Sequence, residues 1–129
     1  MKRRNRITDA ERFRYVRETG KSYSHPLLIL CALPNDEVFS RCGFTASRRI
    51  GKAVARNRAR RRMRETVRQT WDLVEPGWDL VWIARPALIN AEFVELQAAC
   101  TRLLQRAGVL RRQTVASQPG EDRSQEGDR

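Results

Sequence analysis

The chain has 129 residues, 40% of them hydrophobic, with 26 basic against 15 acidic side chains and a formal net charge of +11. This length accommodates one domain of ordinary size and argues against two separate cores. No apolar run reaches the roughly 18 residues of a membrane span, and the basic opening Met1 to Arg6 leads into polar residues where an export signal would need an apolar core.

Residues 1–6 form a basic arm. Thr8, followed three residues later by Glu11, reads as a capping box that starts a helix. Ala10, Phe13 and Val16 give that helix an apolar stripe, and Gly20 suits its end. A polar link follows. Leu27 to Leu33 is a continuous apolar run of strand length, Pro34-Asn35-Asp36 signals a turn, and Arg41 to Ser47 alternates as a second strand. These two strands are expected to pair as an antiparallel hairpin. From Gly51 the apolar period becomes helical: Ala59, Met63, Thr66, Val67, Thr70 and Val74 share one face, and Pro76-Gly77 ends it. Asp79 to Arg85 reads as a third strand closed by Pro86. Asn90 is expected to cap a last helix whose apolar positions are Phe93, Leu96, Cys100, Leu103 and Leu104. The predicted order is helix, strand, strand, helix, strand, helix: a single α+β domain over residues 1–112, with helices packed on a central sheet. Residues 113–129, polar and without aromatics, read as a disordered tail.

The charge is unevenly placed. From Arg48 to Arg64 no acidic residue interrupts Arg48, Arg49, Lys52, Arg56, Arg58, Arg60, Arg61, Arg62 and Arg64. At about 100° per residue, Asn57, Arg61, Arg64 and Arg68 line one side of the helix, with Arg58 and Arg62 flanking. The Ala59–Met63–Val67 stripe lies opposite. A solvated surface helix normally intersperses both signs; this one asks for a polyanion, and its arginine forks suit phosphate.

Hydrolytic chemistry finds no footing in the chain. Protein-only cleavage of phosphodiesters needs metal-holding carboxylates or paired histidines, whereas His25 stands alone and the acidic residues are scattered. Cys31, Cys42 and Cys100 lack the CxxC spacing of a zinc site and suit thiols in a reducing compartment. Trp71, Trp78 and Trp82 read as packing ahead of a base-stacking platform. Since Trp82 alternates with Val81 and Ile83, one set is expected on the outer side of the sheet.

The stretch Gly51 to Glu65, GKAVARNRARRRMRE, resembles the RNR box of the bacterial ribonuclease P protein subunit, which runs Ala-Val-x-Arg-Asn-Arg-x-(Lys/Arg)-Arg-x-x-Arg. Ala53, Val54, Arg56, Asn57, Arg58, Arg60, Arg61 and Arg64 match. Arg4 to Ile7, Phe13 with Gly20, Gly43 to Gly51 and Asp79 to Pro86 resemble further segments of that family, so that the likeness covers about residues 2–110. The resemblance implies a left-handed βαβ crossover, in a sheet like that of the second domain of a small-subunit ribosomal protein. It implies association with a catalytic RNA that removes the 5′ leader of precursor tRNA in the cytoplasm, with Mg²⁺ held by the RNA-containing holoenzyme and no cofactor on the protein alone. Neither membrane nor DNA is an implied partner. Carried over by position, Arg56, Asn57, Arg58, Arg60, Arg61 and Arg64 contact the catalytic RNA, with Arg48, Arg49, Lys52 and Arg68 extending the same surface, and Asn5 and Arg6 lie near the catalytic centre. A cleft between the first helix and the sheet would hold the leader, with Phe13, Arg17 and Leu30 at its positions. Arg17 and Leu30 stand where the family commonly has aromatics, which implies a grip by charge and apolar contact. From charge alone, a ribosomal or assembly protein, or a DNA-binding regulator using residues 57–74, would also fit.

Overall fold

The computed structural model describes residues 1–111; the tail expected over 113–129 lies outside the described residues. Helix α1 (Ala10–Thr19) is followed by strands β1 (Lys21–Ser24), β2 (Leu28–Pro34) and β3 (Arg41–Ala46). Helix α2 (Ala53–Arg68), strand β4 (Trp78–Ala84) and helix α3 (Phe93–Ala107) complete the order. The four strands form one mixed sheet in the order β1-β2-β4-β3.

This α+β architecture agrees with the expected class, but its wiring differs from the predicted hairpin. β2 and β3 are neighbours in sequence and do not pair. β4 lies between them, antiparallel to β2 with Leu30 opposite Trp82, and parallel to β3 with Phe44 opposite Trp82. The hairpin partner of β2 is instead β1, a polar edge strand that the apolar pattern does not announce, with Tyr23 opposite Leu30. β3, α2 and β4 thus form a βαβ unit, since parallel neighbours need a crossover of this length.

Helices cover both faces of the sheet. On one, Leu28, Leu30, Leu80, Trp82 and Cys42 join Ala59, Met63 and Val67 of α2 and Leu96, Cys100, Leu103 and Leu104 of α3 in the main core. On the other, Cys31 and Val81 pack against Val16 of α1, with Phe13, Ile29 and Ile83 partly buried around them. Neither set of the Trp82 alternation is therefore an outer one: Trp82 and Val81 are both fully buried, on opposite faces. With its indole enclosed, Trp82 cannot stack on a base.

Several helix ends move by a residue or two from their predicted places. Asp9, not Thr8, caps α1, accepting a hydrogen bond from Glu11 N at 3.0 Å, and Ala10 is exposed. α2 stops at Arg68, and Val74 reaches the core from beyond a short 3₁₀ turn, Trp71–Leu73. Glu92, not Asn90, caps α3 in a capping box with Glu95, because Pro86–Asn90 is itself a 3₁₀ turn. Phe93, in the first turn of α3, is 39% exposed and contributes little to the core.

Candidate nucleic-acid interface

α2 is positioned by its apolar stripe and by the turn that feeds it. Ala59, Met63, Thr66 and Val67 are buried beneath it. Ahead of it, Gly51 carries φ of +95°, a conformation that side chains with a Cβ seldom adopt, and so the chain can pivot from the 3₁₀ turn Arg48–Ile50 into the helix. Of the cations on this segment, Arg48, Arg49, Lys52, Arg58, Arg61 and Arg68 are exposed, as is Asn57, whereas Arg56, Arg60 and Arg64 are partly buried.

Ion pairs among the described residues are few. Arg12 and Arg41 bind Asp79, and Arg68 binds Glu65 at 2.6 Å. The hydrogen bond from Arg68, with that from Gln69, holds the exposed Glu65 carboxyl below the usual carboxylate range. Arg68 is thus the one predicted contact on α2 already shared with a carboxylate of the described residues. Arg48, Arg49, Lys52, Arg56, Arg58, Arg60, Arg61 and Arg64 take part in none of these ion pairs. Arg60 donates to the side-chain oxygen of Asn57, and the Arg64 guanidinium lies 5.7 Å from the Phe44 ring centroid, a cation–π distance.

Arg62 behaves differently from its neighbours. It donates to the carbonyl oxygens of Leu88 and Ala91, each at 2.7 Å, and so ties α2 to the residues that lead into α3. Its charge is spent on satisfying the end of a 3₁₀ turn. The run of arginines in the sequence is therefore wider than the surface it leaves for a ligand.

The second feature is a recess on the α1 face of the sheet. Ile29, Thr45 and Ile83 belong to its floor, and Arg17 of α1, Arg48, Arg49, Arg56 and Arg85 surround it, enclosing about 700 Å³. A neighbouring recess of about 500 Å³ shares Arg17, Ile29 and Ile83 and adds Arg14, Glu18, Ser22 and Cys31. Five arginines from four segments of chain thus line one concavity, the larger of the two, whose lining holds no carboxylate. The Nε of Arg56, one of the lining residues, is buried without a hydrogen-bond partner among the described residues.

The predicted cleft residues fare unequally. Arg17 lines the recess. Phe13 is partly exposed and rests on Gly43, where a Cβ would come within 2.5 Å of its ring; this close approach needs glycine and seats α1 on β3. Leu30 lies on the opposite face, fully buried against α2 and α3, and cannot meet a ligand in the recess. The error is one of parity: alternate residues of a strand face opposite sides, and Ile29 and Cys31 occupy the cleft side.

At the N-terminal arm, Asn5 is 7% exposed, its Nδ2 donating to Ser40 O and its Oδ1 accepting from Lys2 N, both at 2.8 Å. The side chain that resemblance placed near the catalytic centre is thus engaged within the fold. Arg6 is exposed beside Arg3, Arg4 and Arg41. The arm is held by the bond from Ile7 N to Cys42 O at 3.0 Å.

Asp79 was not singled out by its residue type or spacing, yet it organises this side of the molecule. Its carboxylate is fully buried and accepts from Arg12 Nε at 2.7 Å, from two nitrogens of Arg41 at 2.9 and 2.8 Å, and from Asn35 at 2.8 Å. Burial pushes its pKa up, and the hydrogen bonds from Arg41, Asn35 and Arg12 together outweigh that and hold it below the usual carboxylate range. Elsewhere the titratable groups serve the fold. His25 accepts from Leu27 N through Nδ1 at 3.0 Å, and burial followed by Arg106 lowers its pKa. Burial pushes the thiols of Cys42 and Cys100 up to about 12. Among the described residues, no group of three His, Cys, Asp or Glu side chains could hold a metal ion, and no helix is long and apolar enough to cross a membrane.

An α+β domain with a cationic helix that holds one ion pair among the described residues, beside an arginine-walled recess, is a nucleic-acid-binding protein in its physical design. Comparison with known proteins gives the family. The model of the ribonuclease P family matches residues 1–108. The ribonuclease P protein component of Roseiflexus castenholzii is 47% identical over 123 residues, covering 95% of this chain and all of that one. That of Chloroflexus aurantiacus is 45% identical over 111 residues, covering 85% and 82%. Among solved structures, the RNase P protein from Thermotoga maritima superposes with a TM-score of 0.70 at 28% identity, covering 78% of this chain and 96% of its own. The Staphylococcus aureus RNase P protein, at 23% identity and a TM-score of 0.73 over 82% and 97%, shares the fold. The chain belongs to the ribonuclease P protein family, and neither a ribosomal protein nor a DNA-binding regulator is favoured.

Proposed function

We propose that this chain is the protein subunit of a bacterial, cytoplasmic ribonuclease P, and that it binds the catalytic RNA through α2 and the 5′ leader of precursor tRNA through the arginine-walled recess. The observation that carries this reading is the pairing of two surfaces: a helix whose exposed cations, Arg68 apart, enter no ion pair among the described residues, and beside it a concavity lined by five arginines. Phosphates relieve the mutual repulsion of such cations, so binding is strong and salt-dependent. Arg58 and Arg61 would meet the catalytic RNA with Lys52 and Asn57, and Arg6 would add a contact from the arm.

Catalysis belongs to the RNA in this reading. The described carboxylates do not gather into a Mg²⁺ site, and Mg²⁺ held by the RNA would supply the activated water and stabilise the leaving oxygen. The protein's share is to neutralise phosphate repulsion between two RNAs and to fix the leader against the sheet. Base stacking is worth about 1–3 kcal/mol per base; with Arg17 and Ile29 at the cleft in place of exposed aromatics, the leader is held mainly by its phosphates and with little sequence preference.

The direct test combines the purified chain with a bacterial ribonuclease P RNA and precursor tRNA. The protein alone leaves the substrate intact, and adding it to the RNA at low Mg²⁺ restores cleavage at the leader junction. Failure to stimulate the RNA under those conditions would overturn the assignment.

A further inference from the structure

Two guanidinium groups meet on one serine, Ser24 of β1. Arg85, just past the end of β4, donates from Nη1 to Ser24 Oγ at 2.9 Å. Arg106, in the last turn of α3, donates from Nη1 to the backbone oxygen of the same residue, also at 2.9 Å. The Arg106 guanidinium additionally lies 5.8 Å from the Tyr23 ring centroid. Neither arginine takes part in an ion pair among the described residues. Two like charges are therefore held on the same residue of β1. A guanidinium has five N–H donors, so the bonds to Ser24 orient each fork and leave most of its donors free.

Arg85 also belongs to the wall of the 700 Å³ recess, with Arg17, Arg48, Arg49 and Arg56. It is thus shared between the recess and the Ser24 site and joins the two. Arg102 extends this cationic surface. It is exposed and precedes Arg106 by four residues, one turn along the same face of α3. The acids at the start of that helix, Glu92 and Glu95, lie at its opposite end, roughly 16–21 Å from Arg106 at 1.5 Å per residue.

From this continuity we infer that a single RNA strand leaving the recess turns over Ser24, where Arg85, Arg106 and Arg102 hold its phosphates in succession. The inference rests on the reading that the recess holds the leader and extends it: leader nucleotides farther from the tRNA body than those in the recess are bound on α3 and β1. These contacts go to phosphates and are indifferent to base identity.

The test uses the reconstituted holoenzyme with two precursor tRNAs, one whose leader ends within the recess and one with a leader several-fold longer. The variants are Arg102→Ala with Arg106→Ala together, and Arg102→Ala alone, which removes no side-chain hydrogen bond among the described residues. The double variant should lower the ratio of long-leader to short-leader affinity roughly tenfold and reduce the salt slope for the long substrate by about 0.7 per lost contact. The single variant should change both in the same direction by less. An unchanged ratio in both variants would overturn the track. So would equal losses on both substrates, which would place these arginines against the catalytic RNA or the tRNA body. Arg17→Ala is the control for the underlying reading. It should weaken both leader-bearing substrates relative to mature tRNA; if it weakens neither, the leader does not occupy the recess and the track fails with it.

Discussion

Replacing Asp79 by alanine removes the acceptor on which α1, β3 and the loop after β2 converge. The carboxylate is wholly buried, and the side chains of Arg12 and Arg41 are 27% and 25% exposed. Stranding a charge by removing its buried partner costs about 3–5 kcal/mol. Because both arginines can turn partly toward water, about 2–3 kcal/mol is expected here. The pH dependence has a definite sign. The folded pKa of Asp79 lies below the ordinary value, so the stability it adds is fully present above the unfolded pKa of about 3.9 and is lost as pH falls through the lower folded value. Urea unfolding of the wild type and of Asp79→Ala, at pH 7 and again near pH 3, measures both effects, with an unchanged m value reporting that the unfolded state is comparable. The gap between the two proteins should narrow in acid. A difference under about 0.5 kcal/mol at pH 7, the scale of an ordinary surface substitution, would refute the idea that Asp79 holds these elements together. A gap independent of pH would refute its electrostatic origin.

Arg58→Ala with Arg61→Ala should flatten the salt dependence of catalytic-RNA binding by roughly 0.7–0.9 per lost phosphate contact and leave the unfolding midpoint nearly unchanged. Arg62→Ala should do the reverse, costing about 1.5–3 kcal/mol of stability through its lost charged bonds to Leu88 and Ala91, with an unaltered salt slope; a slope as reduced as that of Arg61→Ala would show that Arg62 leaves the fold to meet RNA. Gly43→Ala forces the Phe13 ring away and should destabilise by about 1–3 kcal/mol, as overpacking does, with Phe13→Leu in the same chain recovering part of the loss in a thermal melt. Phe13→Ala, which loosens the seat of α1 and lies outside the lining of both recesses, should spare catalytic-RNA affinity and reduce the preference for leader-bearing over mature tRNA less than Arg17→Ala does; an equal reduction would put Phe13 itself against the leader.

The helices and three of the strands were legible because each buries a periodic face: Met63 and Val67 under α2, Leu96, Leu103 and Leu104 under α3, and the run through Leu28. β1 was not, since Lys21–Ser24 is polar and its place at the sheet edge asks only for backbone pairing. The β2–β3 hairpin was the natural expectation for successive strands; nothing local to either reveals that β4, some thirty residues on, inserts between them. A continuous apolar run likewise conceals which alternate residues face which helix, so the run itself offers no check on the positional resemblance that sets Leu30 in the cleft. Residue types announce chemistry without announcing whether it is consumed internally. Asn5 looked available and is engaged by Ser40 and Lys2, while Asp79 looked incidental and accepts from three partners.

That distinction bears on how a basic protein should be read. Net charge implies a polyanionic partner but does not say which cations meet it, because arginine serves two ends equally well: its fork satisfies buried carboxylates and carbonyls as readily as phosphate. Here Arg12 and Arg41 are consumed by Asp79 and Arg62 by Leu88 and Ala91, so these positive charges build the platform. Arg48, Arg49, Arg58 and Arg61 are exposed and enter no ion pair among the described residues. Their repulsion within and beside one helix costs a few tenths of a kcal/mol per neighbouring pair, which the burial of Ala59, Met63 and Val67 can offset at about 25 cal/mol per Å² of apolar surface. The hydrophobic stripe thus permits the cationic face to exist without ligand, and RNA phosphates then relieve a strain that the fold has already absorbed.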